Sequence, residues 1–383
     1  MRRFITFALL LVGMFSQVAT ANSTLEIVEI AHPKFSEPLK FNVTLPSGYA
    51  KNTDKSYTMM FDFHHYANSY LSGMHQWMSH NGEWPWLQTI IVTPAPGNRI
   101  GMIFDETGKT TPLLDFFDEQ LFTAVDNKYR TNGYRIMSGF RTNATIVLSG
   151  LINKPNMANA YIATSPEIKD DYVAILSTAK NKLSKLNDKP RMLLFSHGTG
   201  IKEEHQLTDY KNLKKIIETS APTLLDWHYK NFNDHYFMSL PPLATVFGIE
   251  KIFDDIHQGL APQSVISQQG VPAIIRHFKY LSKQKYGFEV SPKNSINQLG
   301  FYLLDVDQTK GLSVLQQSLE LYPNDAYSYH NLAKAYAKLG NYLLAVKYQK
   351  SAVLIADNML TWHKKRHRKF LTQYQEKLKT SAL

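Results

Sequence analysis

The segment RIMSGFRTNATIVLSG, residues 135–150, has the pattern of a buried strand, a tight turn and a helix that begins on small residues. Such a turn can present a nucleophile at the end of a sheet, where the first amides of the helix stabilise an oxyanion. The spacing predicts that the apex of the turn is Phe140. A benzyl side chain cannot attack a carbonyl, so the segment has the frame of a catalytic turn without its nucleophile.

Ser138 and Thr142 carry the hydroxyls nearest to this turn. Ser138 lies two residues before Phe140, so on a strand it shares that residue's side of the sheet but lies lower, where burial is expected. Two interpretations remain open. Either the domain has lost serine-type hydrolysis, or a displaced hydroxyl such as that of Ser138 replaces the missing one.

The remaining polar groups do not have the spacing of a metal or cofactor site. His64 and His65 are neighbours, and neighbouring residues at a strand end point to opposite faces, so they seldom chelate one ion. SHGTG, residues 196–200, lacks the lysine of a phosphate-binding loop. The chain contains no cysteine, which excludes disulfides, thiolate metal sites and a cysteine nucleophile. Neither a cofactor nor a metal is predicted.

Strand-like and helix-like segments alternate around these residues. LEIVEIAHPKF and PLKFNVTLPSGYA alternate apolar and polar side chains, which predicts paired strands. Denser apolar runs, such as MMFDF and TIIVTPA, are typical of buried strands in a mostly parallel sheet. Trp77, Trp84 and Trp86 lie between these two runs and would either line a cleft or form a lid over the sheet. Strands that alternate with helices predict an α/β sandwich.

The order of these segments resembles the esterase family of α/β-hydrolases that contains esterase D and the enterochelin esterases. That family reads R-x-x-x-G-H-S-x-G-G at the turn. The alignment sets Arg135 on the arginine, Ser138 on the first glycine, Gly139 on the histidine and Phe140 on the serine, with Thr142 and Asn143 on the closing glycines. The resemblance covers residues 25–255. It implies an α/β-hydrolase sandwich and an ester-like small molecule as the ligand.

The same resemblance implies the partners of the lost nucleophile. RMLLFSHGTGIKEEHQ resembles the segment that delivers the catalytic acid, which implies Glu203 or Glu204 for that role. NFNDHYFMSLPPLATVF resembles the segment with the catalytic histidine, which implies His235. Apart from the resemblance, the two glutamates would be solvated loop charges, and a histidine beside Asp234 would be an ordinary hydrogen-bonded residue.

From Pro292 onward the pattern is helical only and contains a repeat. Leu299 and Gly300 return 33 residues later as Leu332 and Ala333. This spacing is typical of tetratricopeptide repeats, in which small residues let two helices approach closely. The sequence therefore predicts a small all-α domain that offers a groove to a protein partner.

The two ends of the chain differ in character. Residues 1–21, MRRFITFALLLVGMFSQVATA, have the pattern of a secretory signal peptide, which predicts export to the periplasm or beyond. The formal net charge is +10, and residues 357–383 hold seven Lys and Arg against two acidic residues. This basic tail is either a solvated helix or a patch that touches an anionic surface. An exported protein has little access to nucleic acid, so no such partner is predicted.

The predicted organisation has five parts. They are a signal peptide (residues 1–21), an esterase-like α/β domain (22–270), a connector (271–291), tetratricopeptide-like repeats (292–360) and a basic helix (361–383). Three functions fit it. The α/β domain is a non-hydrolytic descendant that binds a ligand or partner, or an active carboxylic-ester hydrolase of siderophore-ester or acyl-thioester type that uses a displaced hydroxyl. In the third function, the repeats and the basic tail carry the activity of the protein and the α/β domain is a scaffold.

Overall fold

Eight strands form one sheet in the computed structural model, which describes residues 23–79, 85–103 and 112–381. The predicted signal peptide lies outside the described residues. The strand order is β1-β2-β4-β3-β5-β6-β7-β8. β1 pairs with β2 and β2 with β4 in antiparallel fashion, and the other pairs are parallel, as the sequence predicts. The strands are β1 (Thr24–Ile30), β2 (Leu39–Leu45), β3 (Tyr57–Asp62), β4 (Thr89–Pro94), β5 (Thr131–Phe140), β6 (Ala160–Thr164), β7 (Arg191–His197) and β8 (Leu225–Asn231).

Both faces of the central strands are covered, which explains why their sequences are continuously apolar. In β3, Met59 and Phe61 point into one hydrophobic core while Met60 points into the other. Helices supply the opposite side of each core. They are α1 (Ala67–Met78), α2 (Pro112–Asp115), α3 (Phe122–Lys128), α4 (Thr142–Asn153), α5 (Ile175–Leu183), α6 (Leu207–Ser220), α7 (Leu240–His257), α8 (Val265–Gln268) and α9 (Val271–Tyr280).

The segment predicted as a connector, residues 271–291, is helical and packed. It contains α9 and a π-helical turn, Leu281–Tyr286. Phe278 and Tyr286 belong to the core beneath α7, and the Tyr286 hydroxyl donates a hydrogen bond of 2.7 Å to the carbonyl of Ile252. Residues on one face of α9 are apolar, which allows this burial. The segment therefore extends the sheet's own core.

Five further helices follow within residues 292–381, and their pairing follows the predicted repeat. α10 and α11 pack together, as do α12 and α13. Gly300 allows the first close approach, because a Cβ there would lie 2.7 Å from the side chain of Leu315. Leu332 and Ala333 are buried at the equivalent place in the second pair. The helices are α10 (Lys293–Val306), α11 (Gln308–Leu321), α12 (Ala326–Lys338), α13 (Tyr342–Ile355) and the basic helix α14 (Thr361–Ser381).

Within the described ranges, no helix is both long and apolar enough to cross a bilayer.

Candidate functional site

The carboxyl ends of β3, β5, β6, β7 and β8 meet at one edge of the sheet, because these strands are parallel. Ligands of open α/β sheets bind at this edge. Ser138 and Phe140 lie at the end of β5 on this edge, and Glu203, Glu204 and His235 lie in the loops that follow β7 and β8.

The sharp bend lies at Arg141, one residue later than predicted. β5 ends at Phe140, Arg141 has φ 57° and ψ −128°, and α4 begins at Thr142. Gly139 makes this bend sterically feasible, because a Cβ there would lie 2.6 Å from the carbonyl carbon of Asn143. Gly139, and not Ser138, is therefore the small residue at which the helix returns against the strand. The apex lies one residue after the predicted Phe140, because Gly139, and not Ser138, holds the place of that small residue.

Phe140 is the last residue of β5 and does not occupy the bend. Its side chain is half-buried and packs on the core beneath α7. Its ring centroid lies 4.7 Å from that of Phe237, in the short helical turn before α7. Phe140 thus forms part of an apolar cover over the end of the sheet.

Arg141 presents a cation at the bend. Its side chain is 60% exposed, and its Nη2 lies 4.0 Å from Oε2 of Glu167. Its amide donates to the carbonyl of Thr164 at 3.1 Å, and its carbonyl accepts from the amide of Thr145 at 3.1 Å. The backbone is therefore fixed by β6 and α4, while the guanidinium stays accessible to solvent.

Ser138 lies inside the sheet and is buried. Its hydroxyl donates a hydrogen bond to Oδ2 of Asp62, at the end of β3, while the amide of His64 donates to Oδ1 at 2.9 Å. Burial raises the pKa of Asp62 to about 6, against the opposite effect of these two donors. Ser138 and Asp62 form an interior polar pair below the bend.

Glu203 is buried, whereas its neighbour Glu204 is exposed. The Oε1 atom of Glu203 accepts hydrogen bonds from the hydroxyl of Ser165 at 2.5 Å and from the amide of Gly198 at 2.8 Å. Ser165 has a φ of 48°, in the left-handed region that non-glycine residues seldom adopt. The carboxylate thus ties the loop after β6 to the loop after β7.

His235 lies in the turn after β8, with an exposed side chain. Its amide donates to the carbonyl of Phe232 at 3.2 Å, and the two rings lie 6.0 Å apart. Within the described parts of the chain, no hydrogen bond or ion pair joins His235 to Glu203 or Glu204. The turn at Arg141, the two glutamates and His235 follow one another in the order of nucleophile, acid and histidine in hydrolases. The structure does not join the glutamates and His235 into a relay.

The histidines that could suggest a metal site are also placed. The rings of His64 and His65 stack with centroids 4.9 Å apart. Among the described residues, no group of three or more His, Asp or Glu side chains could hold a metal ion. Of the tryptophans, Trp86 is buried and Trp77 is exposed, while Trp84 lies outside the described residues.

Arg141, Asp62 and Ser165 were not proposed from the sequence. Arg141 could have been found, since setting Gly139 on the first glycine of the family's motif sets Arg141 on its serine. Nothing in the sequence signals that Asp62 pairs with Ser138, because the two residues lie 76 positions apart and meet only through the register of β3 with β5.

Comparison with known proteins supports the two-part architecture. A family model described as tetratricopeptide repeat matches residues 314–347. Among curated proteins, none matches this chain. A serine hydrolase of Shewanella oneidensis, described as IroE-like, superposes with a TM-score of 0.57 at 17% identity, over 78% of this chain and 100% of that one.

Two further structures are similar. An uncharacterised protein of Capnocytophaga ochracea has a TM-score of 0.64 at 11% identity, over 93% of this chain and 100% of that one. The BES protein of Bacillus cereus has a TM-score of 0.51 at 15% identity, over 61% of this chain and 95% of that one. The chain therefore has an α/β-hydrolase fold followed by a tetratricopeptide-like helical region, and the predicted resemblance to esterase-type hydrolases is confirmed at the level of the fold.

Proposed function

We propose that this chain is an exported, non-hydrolytic descendant of esterase-type α/β-hydrolases, in which Arg141 stands in the nucleophile's place. The backbone of Arg141 carries the proposal, because it has the left-handed conformation of a nucleophile elbow between a strand and a helix. A guanidinium remains protonated in proteins and cannot form an acyl intermediate. In this proposal the position that lacks the nucleophile is Arg141 and not Phe140.

The surrounding residues support loss of hydrolysis. Ser138 is the nearest hydroxyl on β5, but it is buried and already donates to Asp62. Glu203, in the place of the acid, is engaged by Ser165 and Gly198. The exposed His235 has no carboxylate partner among the described residues, so it lacks the group that would orient it as a base.

The exposed guanidinium also suggests what the site binds. Arginine pairs with carboxylates through two parallel hydrogen bonds, and one Nη of Arg141 already faces Glu167 at 4.0 Å. We infer that the ligand is an ester-like small molecule that carries a carboxylate. The ligand's acid group would compete with Glu167 for the arginine.

Ester turnover tests the proposal. The purified protein is incubated with nitrophenyl acetate and nitrophenyl butyrate, beside Ser138→Ala and Arg141→Ala variants whose folding is checked by circular dichroism. The wild type should release nitrophenol no faster than either variant. Turnover that is present in the wild type and lost in Ser138→Ala would establish the alternative, an active ester hydrolase that uses the displaced hydroxyl.

The helical region favours a second role, protein contact. Leu343 and Leu354 are exposed apolar residues of α13, three helical turns apart and therefore on one face. Lys347 and Lys350 lie between them on the same side. We infer that this face binds an acidic protein segment.

The double variant Leu343→Ser and Leu354→Ser should abolish capture of such a partner by the full chain. Leu25→Ser, which changes an exposed residue of β1, should leave capture unchanged. Equal capture by both variants would refute this role.

A further inference from the structure

The positive charge of the protein is concentrated in its helical region. Residues 292–383 hold 13 Lys and Arg against 6 Asp and Glu, whereas residues 22–291 hold 27 against 26. Five of the cations lie within residues 364–369, in the first two turns of α14. A field of one sign therefore surrounds the amino half of this helix.

The inner face of α14 is occupied by the repeats. Phe370, Leu371 and Tyr374 pack in one cluster with Ala345 and Val346 of α13. His367 is fully buried on the same side of the helix. This packing determines which side of α14 faces solvent.

The outer face of α14 is basic and exposed. It carries four exposed cations, Lys365, Arg366, Arg368 and Lys369. Among the described residues, no Asp or Glu forms an ion pair with any of these four, although the adjacent Lys364 pairs with Asp357 at 3.7 Å. Their charges are therefore available to an anionic partner outside the chain.

An exposed aromatic residue shares this face. Trp362 precedes Lys365, Arg366 and Lys369 by three, four and seven residues, which is the spacing of one face of a helix. Tryptophan side chains are enriched at the level of the lipid headgroups, where an amphipathic ring is favourable. The face thus combines cations with a side chain suited to a membrane surface.

Trp362 is held in this position by its neighbours. Its ring stacks on that of His363 with centroids 3.5 Å apart, and Nδ1 of His363 lies 2.7 Å from the hydroxyl of Tyr327. Trp362 nevertheless stays 52% exposed, and Leu360, just before the helix, is 70% exposed. Apolar side chains beside a basic helix face are the combination with which interfacial helices bind anionic lipids.

The arrangement favours a lipid surface over an acidic protein segment. The exposed cations extend from Lys365 to Lys379, about 21 Å along the helix at about 1.5 Å per residue. Trp362 lies on the same side, so the ring and the cations can meet one plane together. A membrane offers both a negative surface potential and an interfacial layer for the ring.

We propose that the outer face of α14 binds the surface of a membrane that contains anionic phospholipids. Lys365, Arg366 and Lys369 contact lipid phosphate groups, and Trp362 enters the headgroup layer. This surface is separate from the bend at Arg141 and does not depend on the function proposed there.

Sedimentation with vesicles tests the role of the charges. The purified protein should bind vesicles of phosphatidylglycerol and phosphatidylcholine at least tenfold more tightly than vesicles of phosphatidylcholine alone. The triple variant Lys365→Gln, Arg368→Gln and Lys369→Gln should bind the mixed vesicles at least tenfold more weakly than the wild type, because each cation near an anionic surface contributes to the affinity.

The matched control removes the same charge elsewhere. Its substitutions replace three exposed lysines of α5 and α6, Lys180→Gln, Lys211→Gln and Lys215→Gln. This variant should change the affinity less than threefold, with melting temperatures recorded for both triple variants. Residues 1–21 are the same in all variants, so their apolar stretch cannot produce a difference between them.

Brominated phosphatidylcholine in the mixed vesicles tests the position of the ring, because it quenches only tryptophans that enter the lipid layer. Quenching should occur in the wild type and in Trp77→Phe, which changes an exposed tryptophan of α1. It should be lost in Trp362→Phe.

Three results would overturn the proposal. The first is equal affinity for the two kinds of vesicle, or no binding to either. The second is an equal loss of affinity in the two triple variants. The third is binding that needs the cations of α14 but gives no quenching, which would assign this face to an acidic protein partner instead.

Discussion

The hydroxyl of Ser165 lies 2.5 Å from Oε1 of Glu203, and this contact joins the loops after β6 and β7 at the edge of the sheet that faces Arg141. The Glu203 carboxylate, to which the order of segments in hydrolases assigns the role of catalytic acid, is therefore held in hydrogen bonds and anchors these two loops. It holds Ser165 in a left-handed conformation and satisfies the buried amide of Gly198.

Removal of this anchor should destabilise the protein. Glu203→Ala leaves the amide of Gly198 without an acceptor, which should lower the free energy of unfolding by about 1–3 kcal/mol. Glu204→Ala, one residue along and exposed, should change it by less than about 0.5 kcal/mol. Urea unfolding followed by circular dichroism measures both. Equal effects of the two variants would show that Glu203 is not an anchor.

The strain at Arg141 should be measurable. Left-handed conformations of this kind cost about 1–3 kcal/mol for a non-glycine residue, and glycine adopts them freely. Arg141→Gly should therefore raise the stability by about 1 kcal/mol, after about 0.5–1 kcal/mol is lost to the greater entropy of the unfolded chain. Thr142→Gly, at the first residue of α4, should instead lower the melting temperature. A lower melting temperature in both variants would show that the strained bend does not lie at Arg141.

The helical repeats depend on the close approach of α10 and α11. A Cβ on Gly311 would lie 2.5 Å from the Cα of Leu304, so Gly311→Ala must push the two helices apart. We expect a loss of about 1–3 kcal/mol, as for other overpacked sites. Gly73→Ala in α1 meets no atom within 4 Å and should stabilise the protein by about 0.5–1 kcal/mol. Thermal unfolding of the two variants should shift in opposite directions, and a stabilised Gly311→Ala would refute the packing.

Acid should weaken the attachment of α14. His367 is fully buried, and the pKa of its ring is lowered to about 4, first by burial and then by the neighbouring His330, His363 and Arg366, while Asp325 acts in the opposite direction. Between about pH 4 and pH 6.5 the ring is neutral in the folded protein and takes up a proton on unfolding. Stability is therefore fully present above about pH 6.5 and is lost as the pH falls towards about 4.

His367→Phe isolates this effect, because it keeps a ring of similar shape and removes the titrating group. Between pH 7 and pH 5 the melting temperature of the wild type should fall more steeply than that of the variant. Parallel pH profiles would exclude His367 as a source of the acid sensitivity.

The parts of the fold that the sequence predicts are those in which one short pattern determines the structure. The buried strands and the 33-residue offset of the helices are such patterns. Helix α5 is not among the predicted segments, although Ile175, Ala179 and Leu183 recur on one face and are buried. The site is harder to predict, because the contact of Ser165 with Glu203 depends on two loops that lie 38 residues apart.

The position of the bend was within reach of the sequence. The family's motif has three positions between its arginine and its first glycine, so an alignment that starts at Arg135 sets Gly139, and not Ser138, on that glycine. The approach of Asn143 to Gly139 agrees with this count, and it moves the place of the missing nucleophile from an apolar ring to a cation.

Labelling with a fluorophosphonate, followed by intact mass measurement of the wild-type protein, tests the loss of the nucleophile most directly. This reagent attaches to activated serine hydroxyls whatever ester the enzyme prefers. We expect no adduct at any reagent concentration that saturates an active serine hydrolase measured in parallel. A stoichiometric adduct that maps to Ser138, or to another hydroxyl at the edge of the sheet that carries Arg141, would contradict it.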